Sequence, residues 1–205
     1  NELAFRNQFY TPRYVVEFLT ENTLARLWLD LRQGQTALKE KCQYLVISEV
    51  SNYQSTISNP KSQDPRLFRV LDPACGSGHF LLYSFDLLET IYAEAYEDAD
   101  SPLRREYPDA ADFQRALPGL ILAHNLHGID IDLRAVQIAS LALWLRAHRA
   151  YKEMNIPPRQ RKFRLVPQIV CAEPMPGEYD LLGEYLRDLK PAILGNLVRE
   201  IWERM

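Results

Sequence analysis

Three acidic residues close short β-rich runs in this sequence. Asp72 ends the run from Phe68 to Leu71, Asp130 ends Leu126–Ile129, and Glu173 follows Ile169–Ala172. A carboxylate at a strand tip accepts hydrogen bonds from ammonium groups, sugar hydroxyls and ring amines. Behind the first acid stands Pro73-Ala74-Cys75-Gly76-Ser77-Gly78-His79-Phe80. Gly76 and Gly78 lack Cβ atoms, so the backbone can adopt φ > 0 and a ligand can approach it closely. A purely structural left-handed turn would use the same glycines. No Lys follows Gly78, which excludes a phosphate-cradling P-loop, and the third glycine of the dinucleotide fingerprint is missing. Asp72 would also repel a pyrophosphate. A phosphate-free ligand with an amino acid at one end and a nucleoside at the other suits these features; S-adenosylmethionine is such a ligand.

The elements around these residues read as an α/β chain. After Ser77 the apolar residues switch to a helical period (Phe80, Leu81, Leu88, Ile91, Tyr92), giving a helix to about Ala95. Strand, glycine turn and helix form the first unit of a doubly wound sheet, in which ligands bind outside the carboxyl ends of the strands. Upstream, Thr11-Pro12 predicts a helix start, with the hydroxyl as cap and proline at the first helical position. Val16, Leu19, Thr23, Leu24, Leu27, Trp28 and Leu31 then share one face. Residues 35–50 are expected to form another helix and 51–62 a loop. The stretch from Glu94 to Asp112 is rich in acids and reads as an exposed insertion, with a short helix over 109–117. Asp132 is expected to cap a helix from Leu133 to about Lys152 that is apolar nearly all round, implying burial against the sheet. Pro157–Arg164 is the only compact basic run, read as solvated loop.

The segment Asp72-Pro73-Ala74-Cys75-Gly76-Ser77-Gly78-His79-Phe80 resembles the cofactor loop of amino-group DNA methyltransferases, especially the N6-adenine enzymes of restriction-modification and phage-defence systems. Three further segments are similar to that family in the same order: Phe9-Tyr10-Thr11-Pro12, Asn125-Leu126-His127-Gly128-Ile129-Asp130-Ile131-Asp132, and Ile169-Val170-Cys171-Ala172-Glu173-Pro174-Met175-Pro176. The resemblance implies a partial doubly wound (Rossmann-like) sheet that binds S-adenosylmethionine through Asp72, Ala74, Gly76 and Gly78. It implies that Tyr10 and Thr11 cover the methionine end, and that Asp130 holds the ribose with Ile131 against the adenine. Glu173 would accept from the adenine amino group, with Pro174 on the other adenine face; most of the family carries Asp where this chain has Glu173. The spacing departs from the nucleoside-binding norm: Asp130 lies 52 residues beyond Gly78, where about 20 is usual. The excess is the acidic stretch.

The family also carries Asn or Asp followed by Pro-Pro and an aromatic residue, which accepts the amino hydrogens of the target adenine and stacks on it. That tetrapeptide is absent; Asn155-Ile156-Pro157-Pro158-Arg159 has the wrong order and no aromatic residue. The expectation is therefore the cofactor-binding part of a longer methyltransferase, inactive alone. Residues 1–62 would form a helical, cofactor-covering segment and 63–205 the cofactor-binding α/β part. The start at Asn1 without Met, and the end at Met205 within an expected helix over 192–204, agree with that expectation. DNA would be met through the full-length protein, with restriction or defence-system subunits as further partners.

Composition bounds the rest. The chain has 205 residues, 47% of them apolar and 25% charged, enough for one domain with a proper core. Its formal charge of −3 argues against a standalone DNA-wrapping domain, since duplex affinity comes largely from neutralised phosphates. Cys42, Cys75 and Cys171 are odd in number and far apart, so they read as reduced thiols of a cytoplasmic protein. No apolar run reaches the ~18 residues of a membrane span. Two other readings stay open: a nicotinamide-dependent oxidoreductase on the same strand-turn-helix, and a non-catalytic binding or structural module.

Overall fold

The structure, a computed structural model, describes residues 11–47, 64–161, 166–172, 186–187, 196 and 198–199. Two compact units divide the chain, Asn1–Cys171 and Ala172–Met205. In the second, helical backbone is described at residues 186–187, 196 and 198–199. The expected helix over 192–204 otherwise lies outside the described residues.

The first unit opens with α1 (Arg13–Thr20), a π-helical segment (Glu21–Ala25) and α2 (Arg26–Leu31). Thr11 does not cap it. Pro12 holds the N-cap position without a side-chain bond, and its carbonyl accepts from the amides of Val15 and Val16. The π-helical turn widens the helix and shifts its apolar face. Val16, Leu24, Trp28 and Leu31 are buried, whereas Leu19 and Leu27, expected beside them, are 46% and 41% exposed. Buried Glu21 accepts from the Tyr83 hydroxyl at 2.6 Å and from the Tyr44 amide at 2.5 Å.

Of the helix expected over 35–50, only α3 (Leu38–Lys41) forms among the described residues. Side chains take the backbone groups that a longer helix would use. Glu94 accepts from the Ala37 amide, Glu21 from Tyr44, and Asn22 bonds both the Tyr44 carbonyl and the Val46 amide. Residues 48–63 lie outside the described residues.

Three strands follow, β1 (Val70–Asp72), β2 (Leu126–Asp130) and β3 (Gln168–Cys171), in the order β1-β2-β3 and all parallel. Between β1 and β2 run α4 (His79–Glu97), α5 (Pro102–Glu106) and α6 (Ala110–His124); α7 (Leu133–Glu153) connects β2 to β3. Two right-handed crossovers that step the same way across a parallel sheet set their helices on one face. The side chains agree. Leu126 is fully buried, and Val70 and Ile169 pack against the core on that face. Leu71 and Val170, pointing the other way by strand alternation, are 58% and 57% exposed.

The acidic stretch is not a loose insertion. Asp109 caps α6 by accepting from the Ala111 amide, and the helix runs on to His124. Phe113, Leu117, Ile121 and Leu122 are buried in the common core, with Phe113 stacked on Tyr96 at 4.1 Å between ring centroids. Charged residues mark its surface while the apolar positions between them are packed. The reading of α7 also needs correction. Val136, Ala139, Leu143, Ala147 and Ala150 are buried, but Ile138, Leu141 and Leu145 on the outer face are each more than half exposed. Among the described residues, the buried positions of α7 lie on one face.

A fully buried Asn125 joins the start of β1 to the start of β2. Its Nδ2 donates to the carbonyls of Pro65 and Phe68, its Oδ1 accepts from the Tyr92 hydroxyl, and its own carbonyl accepts from the Val70 amide. Asn125→Ala leaves two carbonyls and a hydroxyl without partners inside the core. The expected loss is about 2–4 kcal/mol of unfolding free energy, measurable by urea unfolding; a loss below about 0.5 kcal/mol would contradict it.

Candidate functional site

The glycine turn hangs on the tip of β2. The Cys75 amide donates to the Ile129 carbonyl at 2.9 Å, and the Gly76 amide donates to Asp130 Oδ2 at 2.8 Å. Asp130 Oδ1 accepts from the Asp132 amide at 2.9 Å. A carboxylate offers about four lone-pair sites, so Asp130 keeps capacity for further donors while holding the turn. Asp132 caps α7 through the Arg134 amide, as its place in the sequence predicts.

Both glycines have the left-handed backbone that the motif requires, with φ of +52° at Gly76 and +85° at Gly78. Their surroundings differ. A Cβ at Gly76 would meet nothing within 4 Å, so open space lies over this part of the turn. A Cβ at Gly78 would stand 3.2 Å from the Ala139 Cβ of α7. Gly76 thus leaves room for a ligand, and Gly78 lets two helices approach. From Gly78 the turn passes into α4: its amide donates to the Cys75 carbonyl and its carbonyl accepts from the Leu82 amide.

Asp72 closes β1 beside this turn. Its Oδ1 accepts from the Ala74 amide at 3.2 Å, while Oδ2 is buried without a hydrogen-bond partner. Burial pushes its carboxyl above the usual aspartate range; the Ala74 amide opposes this and the Asp130 charge adds to it. A buried carboxylate oxygen without a donor is costly. An ammonium group is the donor that would relieve both the missing hydrogen bond and the charge. This fits the amino-acid end of S-adenosylmethionine, and Asp130 on the next strand fits paired hydroxyls.

Of the other expected site residues, Ile131 follows directly on β2 and is 72% exposed, an apolar side chain open to solvent beside the Asp130 carboxylate. Thr11 is exposed and lines a second cleft with Arg13, His79 and Tyr83. Tyr10, Glu173 and Pro174 lie outside the described residues. The structure therefore brings together Asp72, Ala74, Gly76, Gly78, Asp130 and Ile131.

A cavity of about 780 Å³ extends from Asp72 along the outer edge of β1, between the first helix and α4, with Leu19, Leu24, Leu27, Leu71 and Phe80 among its walls. Leu19 and Leu27 are the residues the π-helical turn rotates out of the core.

Two residues of the family-like segments that were given no role there support the turn. A Cβ at Gly128 would lie 3.0 Å from Leu81 Cδ1 and 3.1 Å from Cys75 Sγ, so any larger residue would push those side chains back by a few tenths of an ångström. A glycine inside a strand is the available signal for such an approach. Cys75 fills the gap and is buried; burial raises its thiol pKa to about 11, with Asp72 and Asp130 adding to the effect. This thiol is a packing group rather than a nucleophile at neutral pH.

The glycine turn, the paired acids on adjacent parallel strand tips and the one-sided helices make up the candidate site. Residues 52–168 match the family described as the DNA-methyltransferase domain of MmeI. The chain is 34% identical over 152 residues to the adenine-specific methyltransferase BrxX of Escherichia coli strain HS, covering 72% of this chain and 11% of that protein. It is 32% identical to the adenine-specific methyltransferase PglX of Lacticaseibacillus casei, over 69% of this chain and 11% of that protein. A putative type II restriction enzyme and methyltransferase of Methanocaldococcus jannaschii is 31% identical over 67% of this chain and 12% of its own length. The chain belongs to the family of the MmeI DNA-methyltransferase domain. It spans about a tenth of the length of the curated relatives it matches.

The two glycines separate binding from packing. Gly76→Ala is expected to cost about 1–2 kcal/mol for a left-handed alanine. Gly78→Ala adds the encounter with Ala139 and should cost more, about 2–3 kcal/mol. Thermal unfolding of both variants checks this; equal losses would refute the distinction.

Proposed function

We propose that this chain supplies the S-adenosylmethionine site of a longer adenine-specific DNA methyltransferase, built on part of a doubly wound, Rossmann-like sheet. The observation that carries the reading is the buried, unpartnered Asp72 Oδ2 beside a glycine turn held by Asp130. Three relatives named as methyltransferases, two of them adenine-specific, support it.

On this reading Asp72 accepts from the cofactor's ammonium group. The backbone of Ala74, Gly76 and Gly78 lets the methionine portion lie close, Asp130 accepts from the ribose hydroxyls, and Ile131 packs on the adenine. Tyr10 and Thr11 cover the methionine end; Glu173 and Pro174 take the adenine amino group and its second face. Residues 1–62 then act as a cover and 63–205 as the binding part. When bound, S-adenosylmethionine supplies an electrophilic methyl group for the adenine amino nitrogen. The longer protein would present that base flipped from the duplex. The Asn/Asp-Pro-Pro-aromatic tetrapeptide is missing from these 205 residues, so the chain alone is proposed to bind cofactor without methylating DNA. Restriction or defence-system subunits are the proposed partners and the cytoplasm the proposed location; among the described residues no helix is long and apolar enough to cross a membrane.

Calorimetric titration of the 205-residue chain tests the reading. S-adenosylmethionine is expected to bind, and Asp72→Asn to weaken it by about ten- to a hundredfold, the scale of one lost charge-assisted hydrogen bond. Because the folded-state pKa of Asp72 is raised, its acid form is favoured by folding. Stability from this group is present below the ordinary aspartate value and is lost as pH rises through the folded value. Asp72→Asn should therefore leave the unliganded chain as stable at neutral pH, or more so, while binding falls. On acidification, affinity of the unsubstituted chain should decline above the ordinary aspartate value, and the variant should lack that decline. NAD binding in place of S-adenosylmethionine, or an unaffected Asp72→Asn, would overturn the proposal. Methyl transfer to DNA by the isolated chain would overturn its inactivity.

A further inference from the structure

Glu21 is a buried carboxylate that none of the proposed cofactor contacts uses. It opens the π-helical segment and is 1% exposed. Both of its oxygens meet neutral donors: Oε1 accepts from the Tyr83 hydroxyl at 2.6 Å and Oε2 from the Tyr44 amide at 2.5 Å. Burial, reinforced by Glu21, pushes the Tyr83 phenol above its usual range, so the hydroxyl remains a donor at neutral pH. Burying a carboxylate is costly, and π-helical turns recur at functional sites.

The Glu21–Tyr83 bond ties together two helices that start side by side. α1 packs on α4, and at their N-terminal ends Thr11 and Arg13 line one cleft with His79 and Tyr83. Further along the same rod, Trp28 Nε1 donates to Glu94 and Arg32 Nη1 to Asp98, each at 2.6 Å. Of these three side-chain bonds, Glu21–Tyr83 is nearest the glycine turn, since Tyr83 lies little more than one helical turn beyond Gly78. The Arg13–Glu17 bond is internal to α1 and fixes nothing on α4. Thr11 sits directly before the Pro12 N-cap, which makes no side-chain bond. A rotation of α1 about its axis, or a slip along α4, would therefore move Thr11 relative to the turn.

We propose that Glu21 is a positioning residue for S-adenosylmethionine. Through Tyr83 it holds α1 on α4 in the rotation and register that set Thr11 over the methionine end of the cofactor. Glu21 itself touches no part of the ligand; it locks the residue that does. The inference rests on the cofactor reading above, which gives Thr11 its role.

Calorimetric titration with S-adenosylmethionine, in a double-mutant cycle of Tyr83→Phe and Thr11→Ala, tests it. Tyr83→Phe removes one hydroxyl and is expected to weaken binding about tenfold, the order of one charge-assisted hydrogen bond. Thr11→Ala is expected to weaken it by a similar factor. The double variant should bind about as well as either single variant, because both changes act through one contact. Glu21→Gln can still donate to the Tyr83 oxygen and accept from the Tyr44 amide, so it should retain affinity within about threefold. A bond with only a structural role would leave the two losses independent, about a hundredfold together, and that result would overturn the proposal. So would a Tyr83→Phe or Thr11→Ala chain that binds as tightly as the unsubstituted one, or a Glu21→Gln loss as large as that of Tyr83→Phe. If the unsubstituted chain bound no S-adenosylmethionine, the cofactor reading itself would fail and this inference with it. Circular dichroism melting of each variant separates lost positioning from lost folding.

Discussion

The site rests on one suspension: a left-handed turn at the end of β1 is held by the neighbouring strand. Two backbone amides of the turn, from Cys75 and Gly76, bond the Ile129 carbonyl and the Asp130 carboxylate. With those amides engaged, the turn cannot relax without loosening β2. Asp130 thereby has two duties, since the same carboxylate that braces the turn faces the proposed ribose position. Gly128 lets α4 and the turn pack closely on β2, and Asn125 sets the strand pair's other end. The short parallel pair is fixed at both ends by polar bonds and in the middle by close packing.

Asp72 sets a conflict inside this rigid frame. Its position is maintained by β1 and by the Ala74 amide, yet burial and the Asp130 charge disfavour its ionised form. Natural folds tolerate such a group where a ligand later answers it. A cationic ligand end and a negatively charged strand tip would then stabilise each other, and turn rigidity limits the rearrangement needed for binding.

The turn, both acids on described strand tips and the Asp132 cap were legible in the sequence because each depends on local chemistry. Glycine at positive φ, an acid before a helix and a strand-turn-helix alternation are written within a few residues. Long-range demands were not. The π-helical turn that rotates Leu19 and Leu27 depends on Glu21 meeting Tyr83 and Tyr44, 62 and 23 positions away. The acidic stretch looked solvated because its charges are conspicuous, while Phe113 and Ile121 needed α4 in place before their burial could be seen. In α7, composition suggested burial all round, but Ile138, Leu141 and Leu145 are more than half exposed while Val136, Ala139, Leu143 and Ala147 are buried. Asn125 gave no sign because its partners, Pro65, Phe68 and Tyr92, are scattered through the chain.

The unequal faces of the sheet have a consequence for synthesis. A ribosome delivering this sequence completes the strand pairing and its helical side once Cys171 has emerged. Leu71 and Val170 still look toward water at that moment, and parallel sheets are seldom stable with a wet face. A nascent intermediate with that face open would be a substrate for holdase chaperones and a point where translation pauses favour misassembly.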